Sequence, residues 1–257
     1  MDTLFVLAHS PLVGPSTWSL VAAELGRRGI DAIVPSLRDR EDSDRPYWRQ
    51  HAESVASALR PVPRDRPLAL VGHSGAGPLL PAIRRLARWS VAACIFVDAG
   101  LPHDGISRLD ALGVEDPAFA RELRGHLASG GRFPDWGDED LREAIPDDHA
   151  RRAMLAELRP RPLAFFEEPI PGSVDEFDAP CGYLRLSAAY RQPAERARRD
   201  GWAYRAFDAG HFHMLVDPIV VTDAIVGLVQ AASPRVEHLA HDSLPVTVTS
   251  IAFFATS

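Results

Sequence analysis

Four short stretches carry the residues best suited to chemistry. Leu68-Ala69-Leu70-Val71-Gly72-His73-Ser74-Gly75-Ala76-Gly77 joins an apolar, strand-like run to a glycine-rich turn and then to a helical pattern. A serine at such a hairpin is held in a strained conformation, and it needs small neighbours to avoid clashes. Its hydroxyl then stands above the sheet at the positive end of the next helix, a position that suits a nucleophile. The bland alternatives are a plain strand-helix turn or a serine that binds a phosphate. Two histidines, His211 and His213, lie in Phe207-Asp208-Ala209-Gly210-His211-Phe212-His213 just before the last helical pattern. An imidazole is the side chain fitted to move a proton near neutral pH. Phe96-Val97-Asp98-Ala99-Gly100 offers a carboxylate at a strand end, and Val6-Leu7-Ala8-His9-Ser10-Pro11-Leu12 offers a strand followed by a polar turn.

Together these stretches resemble the α/β-hydrolase family of the serine nucleophile-elbow type, in which Gly-x-Ser-x-Gly is the commoner form and Ala76 takes the place of the second glycine. The resemblance runs over nearly all of residues 1–231. It implies that Ser74 is the nucleophile and that His211, which follows a glycine as the family's histidine usually does, is the base, with His213 as the rival. It places Gly75 N–H as one oxyanion donor. It also places His9-Ser10-Pro11 where the family has His-Gly-x, with Trp18 nine residues after the histidine as usual. Pro11 departs from the pattern, because the x residue normally gives its N–H to the oxyanion and proline has none. Leu12 N–H or the Ser10 hydroxyl are the substitutes at hand. His73, beside the nucleophile, reads as packing near the site.

A second departure concerns the acid. Where the family places it, after the strand Gly182–Leu186, this chain reads Ser187-Ala188-Ala189-Tyr190-Arg191-Gln192-Pro193-Ala194, without a carboxylate. Some members carry the acid one strand earlier, which implies Asp98. Asp98 equally suits a loop-capping residue, and a Ser-His dyad without an acid stays open. Asp208 lies too close to His211 in sequence to turn back onto its ring.

The elements that must position these residues alternate. Strands are expected at Thr3–Ala8, Ala32–Pro35, Leu68–Gly72, Val91–Val97, Gly182–Leu186 and Trp202–Phe207. Helices are expected at Trp18–Arg28 (closed by Gly29), Tyr47–Arg60, Gly75–Trp89, Ala194–Arg199 and Pro218–Ala231. Pro81 should bend the third of these near the active-site end. Such alternation requires an α/β fold: a mostly parallel, doubly wound sheet with helices on both faces. Residues 1–101 and 180–232 read as the core. Residues 102–179, more charged and helical, read as a cap inserted over the sheet's C-terminal edge, where ligands bind. The cap offers Trp136, Phe165, Phe166, Glu167 and Glu168 as pocket candidates, although packing for the aromatics and a solvated face for the glutamates are the plainer roles. The stretch 233–257, with its β-branched Leu244–Phe254 run, reads as an added edge strand, a homodimer contact or a loose end.

Composition removes several function classes. The 257 residues include 28 arginines and no lysine. Schiff-base, pyridoxal-phosphate and P-loop chemistry all need that lysine. A net charge of -7 with scattered arginines argues against a nucleic-acid partner. Cys94 and Cys181 are too few for a disulfide framework or a zinc site and read as reduced core thiols. No basic leader or membrane-length apolar run is present, which predicts a cytoplasmic protein.

The function expected is hydrolysis of an ester, thioester or related acyl group of a small apolar molecule by Ser74, His211 and Asp98, with no metal or organic cofactor. The alternative is a lyase or cyclase of secondary metabolism on the same scaffold, in which His211 removes a proton and no acyl-enzyme forms. A non-catalytic binding protein is disfavoured, because both serine and histidine stand in place.

Overall fold

The structure, a computed structural model, describes residues 2–232; the expected tail at 233–257 lies outside them. Strand alternation builds two cores, one on each face of the sheet. In β1 (Leu4–Ala8), Phe5 and Leu7 enter one core, and Leu4, Val6 and Ala8 enter the other. Side chains of period two on a doubly covered strand leave no polar face, which is why β1 is apolar throughout.

The chain continues through α1 (Ser19–Arg27), β2 (Ala32–Ile33), α2 (Tyr47–Ala58), β3 (Leu68–His73), α3 (Leu80–Ala87) and β4 (Val91–Val97). An intervening segment holds β5 (Ile106–Ser107), α4 (Arg108–Glu115), α5 (Pro117–Ala128), α6 (Asp138–Leu141), α7 (Asp148–Ala156), α8 (Leu163–Glu167) and β6 (Pro169–Ile170). Then follow β7 (Cys181–Arg185), α9 (Arg191–Arg199), β8 (Ala203–Ala206) and α10 (Pro218–Ala232). The main sheet has six parallel strands in the order β2-β1-β3-β4-β7-β8. The fold is α/β, a doubly wound parallel sheet. The order reverses direction between β1 and β3, and all strand C-termini share one edge, the usual place for a ligand crevice.

Helices α1 and α10 cover one face through Val21, Leu25, Val221 and Ile225. Helices α2, α3 and α9 cover the other through Val55, Ile83, Ala194 and Ala197. Each Leu, Ile or Val fully enclosed in this way contributes roughly 1.5–3 kcal/mol. Gly29 closes α1 as expected: at a φ of 70° it lets Ile30 N–H return to Leu25 carbonyl at 2.9 Å.

Two expectations need correction. The helix after β3 is not α-helical from Gly75, because Ser74–Leu79 form a 3₁₀ turn and the α-helix begins only at Leu80. Pro81 therefore falls in the first turn of α3, where its missing N–H costs nothing, and the expected bend becomes a change of helix type. The segment between β4 and β7 is mostly helical. It does contain a two-residue antiparallel pair, β5 with β6, that ties its two ends together.

That segment packs in two ways. Leu109, Leu123, Leu127, Phe165 and Phe166 form a small core of their own, whereas Leu141, Ile145 and Met154 join the core around Trp18 and Val21. Among the described residues, no helix is long and apolar enough to cross a membrane.

Candidate active site

Every candidate catalytic side chain leaves the C-terminal edge of the main sheet. Ser74 follows β3 with a φ of 55°, a left-handed conformation unusual for serine, and is nearly buried. The turn closes only because Gly77 has no side chain: a Cβ there would meet the Gly100 carbonyl oxygen at 2.2 Å. Asp98 follows β4, also at positive φ, 43°, and is fully buried.

Asp98 has its hydrogen-bonding capacity filled. Its Oδ1 accepts Leu186 N–H at 2.8 Å and Ser187 N–H at 2.9 Å. Its Oδ2 accepts the Ser187 hydroxyl at 2.6 Å and His211 Nδ1–H at 2.8 Å. Burial pushes this carboxyl upward, but the His211 and Ser187 donors outweigh it, so the group stays below the usual carboxylate range. The end of β7, which has no acid, supplies donors to the acid on β4. His211 Nδ1 must carry the proton for this bond, which leaves Nε2 as the basic nitrogen.

Ser74 is placed differently from the expectation. Among the described residues its hydroxyl pairs with Tyr190 Oη at 3.0 Å, and no hydrogen bond joins it to His211. Tyr190 also lies flat on the His211 ring, with centroids 5.0 Å apart and 7° between planes. Burial raises the phenol, so Tyr190 is neutral and can donate. His73 is buried, and its Nε2–H donates to the His211 carbonyl at 3.1 Å while burial and the nearby His211 hold it neutral. It thus fixes the histidine loop and leaves Ser74 alone. His213 packs on Phe207, and Asp208 pairs with Arg185 on the surface.

On the opposite side, Ser10 Oγ is buried and lies 3.1 Å from where a Cβ on Gly75 would stand. Leu12 N–H points back to Ser10 Oγ at 3.4 Å, so it is turned toward the serine. Among the described residues no acceptor takes the Ser10 hydroxyl proton, which leaves it to donate. The carbonyls of Pro11 and Leu12 are both engaged: Arg161 Nη2 donates to Pro11 at 3.2 Å, and Arg159 N–H donates to Leu12 at 2.9 Å. Glu157 Oε2 accepts Ser16 N–H at 2.8 Å, so residues 157–161 grip the whole turn.

Ser74 opens on a cavity of about 170 Å³ lined by Leu12, Gly75, Leu112, Phe133, Phe166 and Tyr190, with Arg108 and Glu115 as its charged members. Of the other pocket candidates, Trp136 does not line it; that residue is wedged between Phe133 and Phe212. Phe165 is buried behind the wall under Arg108. Glu167 pairs with Arg124 at the surface. Glu168 is no solvated residue, because it caps α2 by accepting Tyr47 N–H at 2.6 Å and Trp48 N–H at 2.8 Å.

The alpha/beta hydrolase family profile matches residues 5–224. The chain belongs to the alpha/beta hydrolase family. Similar solved folds include an extracellular alpha/beta-hydrolase from a Paenibacillus species, at 19% identity and TM-score 0.69, covering 90% of this chain and 99% of that one. Polyneuridine aldehyde esterase gives 16% and 0.67, with 89% and 99% covered. Tomato methylketone synthase I gives 13% and 0.68, with 91% and 100% covered. At these identities the likeness is one of fold. No curated protein matches the chain in sequence.

Within this alpha/beta hydrolase, two site residues escape a reading of the sequence. Tyr190 sits in a 3₁₀ turn, Ala188–Tyr190, where only an acid was sought. Arg108 is one of 28 arginines, and only its placement at the start of α4 sets it apart.

Proposed function

We propose that this alpha/beta hydrolase cleaves an ester, thioester or related acyl group of a small, largely apolar molecule. Ser74 serves as nucleophile, His211 as base and Asp98 as the group that orients the imidazole. One observation carries the reading: the bond from His211 Nδ1 to the buried Asp98 carboxylate at 2.8 Å, beside a positive-φ serine on an apolar cavity. Substrate entry turns Ser74 Oγ from Tyr190 toward His211 Nε2, which takes the hydroxyl proton as Oγ attacks the acyl carbon. Gly75 N–H and the Ser10 hydroxyl hold the oxyanion. His211 then gives its proton to the leaving group, and a water deprotonated by His211 releases the acid from Ser74.

Intact mass after a fluorophosphonate probe, beside turnover of short p-nitrophenyl esters, tests this. One adduct that vanishes in Ser74→Ala supports it. A wild-type protein that neither labels nor turns over any ester overturns it.

The second reading is a lyase or cyclase without an acyl-enzyme, in which His211 removes a substrate proton through or beside Ser74. The bond from Ser74 to Tyr190 and the missing Pro11 N–H favour it. Its signature is poor ester turnover without accumulating acyl-Ser74.

A further inference from the structure

Arg108 is a half-buried cation, with enclosed guanidinium nitrogens, that the proposed chemistry does not use. It opens α4 and lines the cavity that holds Ser74. Its guanidinium stacks on Phe165 at 4.1 Å, and Nη1 reaches the Phe165 carbonyl at 3.4 Å. Nε and Nη2 are enclosed, and neither has a hydrogen-bond partner among the described residues.

Among the described residues no carboxylate pairs with Arg108, because its acidic neighbours are engaged elsewhere. Asp39 accepts two bonds from Arg161, at 2.7 and 2.6 Å, and one from His51 at 2.7 Å. Glu168 caps α2. Burial pulls Arg108 down to about 10, which still leaves it a cation at neutral pH. Glu115, the acid on the same cavity, has no ion-pair partner among the described residues, and burial pushes it toward the neutral form. Nε and Nη2 together form the side of the guanidinium that donates two parallel bonds to a carboxylate. A buried charge left unpaired is costly, and that cost is relieved when a matching anion arrives.

We propose that the cavity beside Ser74 takes a substrate with a carboxylate, held by the Nε–Nη2 edge of Arg108, while the rest of the molecule lies against Leu112, Phe133 and Phe166. The cavity has room for about six water volumes, which points to a short molecule. This rests on the catalytic reading for its reaction but not for its binding.

Calorimetry on Ser74→Ala, which needs no turnover, separates the two. Hexanoate is expected to bind about 10- to 100-fold more tightly than hexanamide, the range for charge-assisted hydrogen bonds. Arg108→Gln in the same background should bring hexanoate down to the level of hexanamide and leave hexanamide unchanged. Arg108→Lys, with the charge but not the fork, should keep part of the preference. Equal affinities with Arg108 present, no binding of either ligand, or a preference that survives Arg108→Gln overturns the proposal. The first comparison leaves Arg108 unaltered, so a folding defect in a variant cannot hide the answer. Fluorophosphonate labelling of the wild type, run alongside, reports on the catalytic reading alone.

Discussion

Tyr190 and Ser74 share a hydrogen bond of 3.0 Å, and the Tyr190 ring lies parallel to the imidazole of His211. One residue therefore touches both members of the proposed catalytic pair, and it occupies the serine hydroxyl that the histidine needs. The strained backbone at Ser74 sets the direction of its Cα–Cβ bond, so the contest between partners is settled by a turn about that bond, which carries Oγ from Tyr190 toward His211.

Tyr190→Phe keeps the stacked ring and removes that competitor. Fluorophosphonate labelling of Ser74 is expected to speed up about 2- to 10-fold, the range for one neutral hydrogen bond. A slower rate in the variant would show that the phenol assists the chemistry.

Ser10→Ala tests the oxyanion side. In the proposed mechanism the hydroxyl beside Gly75 stands in for the amide that Pro11 lacks, so kcat for short esters should fall by about 10²–10³ while the melting temperature holds. An unchanged kcat would hand the donor role to another group.

Asp98→Asn can keep its two backbone contacts, from Leu186 and Ser187, but misorients the imidazole. Ester turnover should drop by about 10⁴, with circular dichroism unaltered. Turnover close to wild type would reduce the pair to a dyad.

Acid should destabilise the protein in two stages. Burial pulls His9 and His51 down to about 4 in the fold. His9 fits only the neutral form, because Nδ1–H donates to Ser10 carbonyl while Nε2 accepts Leu37 N–H. Unfolded histidines bind protons near 6.5, so the unfolded state takes up more protons between about 6.5 and 4, and stability falls as pH drops through that window. Asp98 and Asp39 follow. Burial pushes both up but their donors hold them below the usual range, so their stabilisation is present above about 4 and is lost as pH falls further. Thermal melts between pH 7 and 4 should show a loss on the order of 10 °C before the carboxylates titrate. A flat profile over that range would contradict buried neutral histidines.

What the sequence exposes depends on how local each signal is. Ser74 stands between an apolar strand and a helix with glycines around it, and the demand for small residues is written within six positions. His211 likewise carries its context beside it, between β8 and α10. Asp98 was left open because its partners, Leu186 and Ser187, lie 88 and 89 positions away. Tyr190 and Arg108 have no local pattern at all, since each gains its place only when the inserted segment and the turn after β7 close over Ser74. Trp136 shows the reverse error: an aromatic that looks available in sequence is used to wedge Phe133 against Phe212.

The grip of residues 157–161 on the turn after β1 bears on engineering. Glu157, Arg159 and Arg161 hold Ser16, Leu12 and Pro11 from the segment between α7 and α8, and Arg161 also anchors to Asp39 beyond β2. The turn and the insert therefore form one exchangeable module, although more than 140 positions separate them. A graft that swaps the insert for a relative's without these three residues would release the carbonyls of Pro11 and Leu12. Such a chimera would lose the alignment of Ser10 with Gly75 while Ser74, His211 and Asp98 stayed in place.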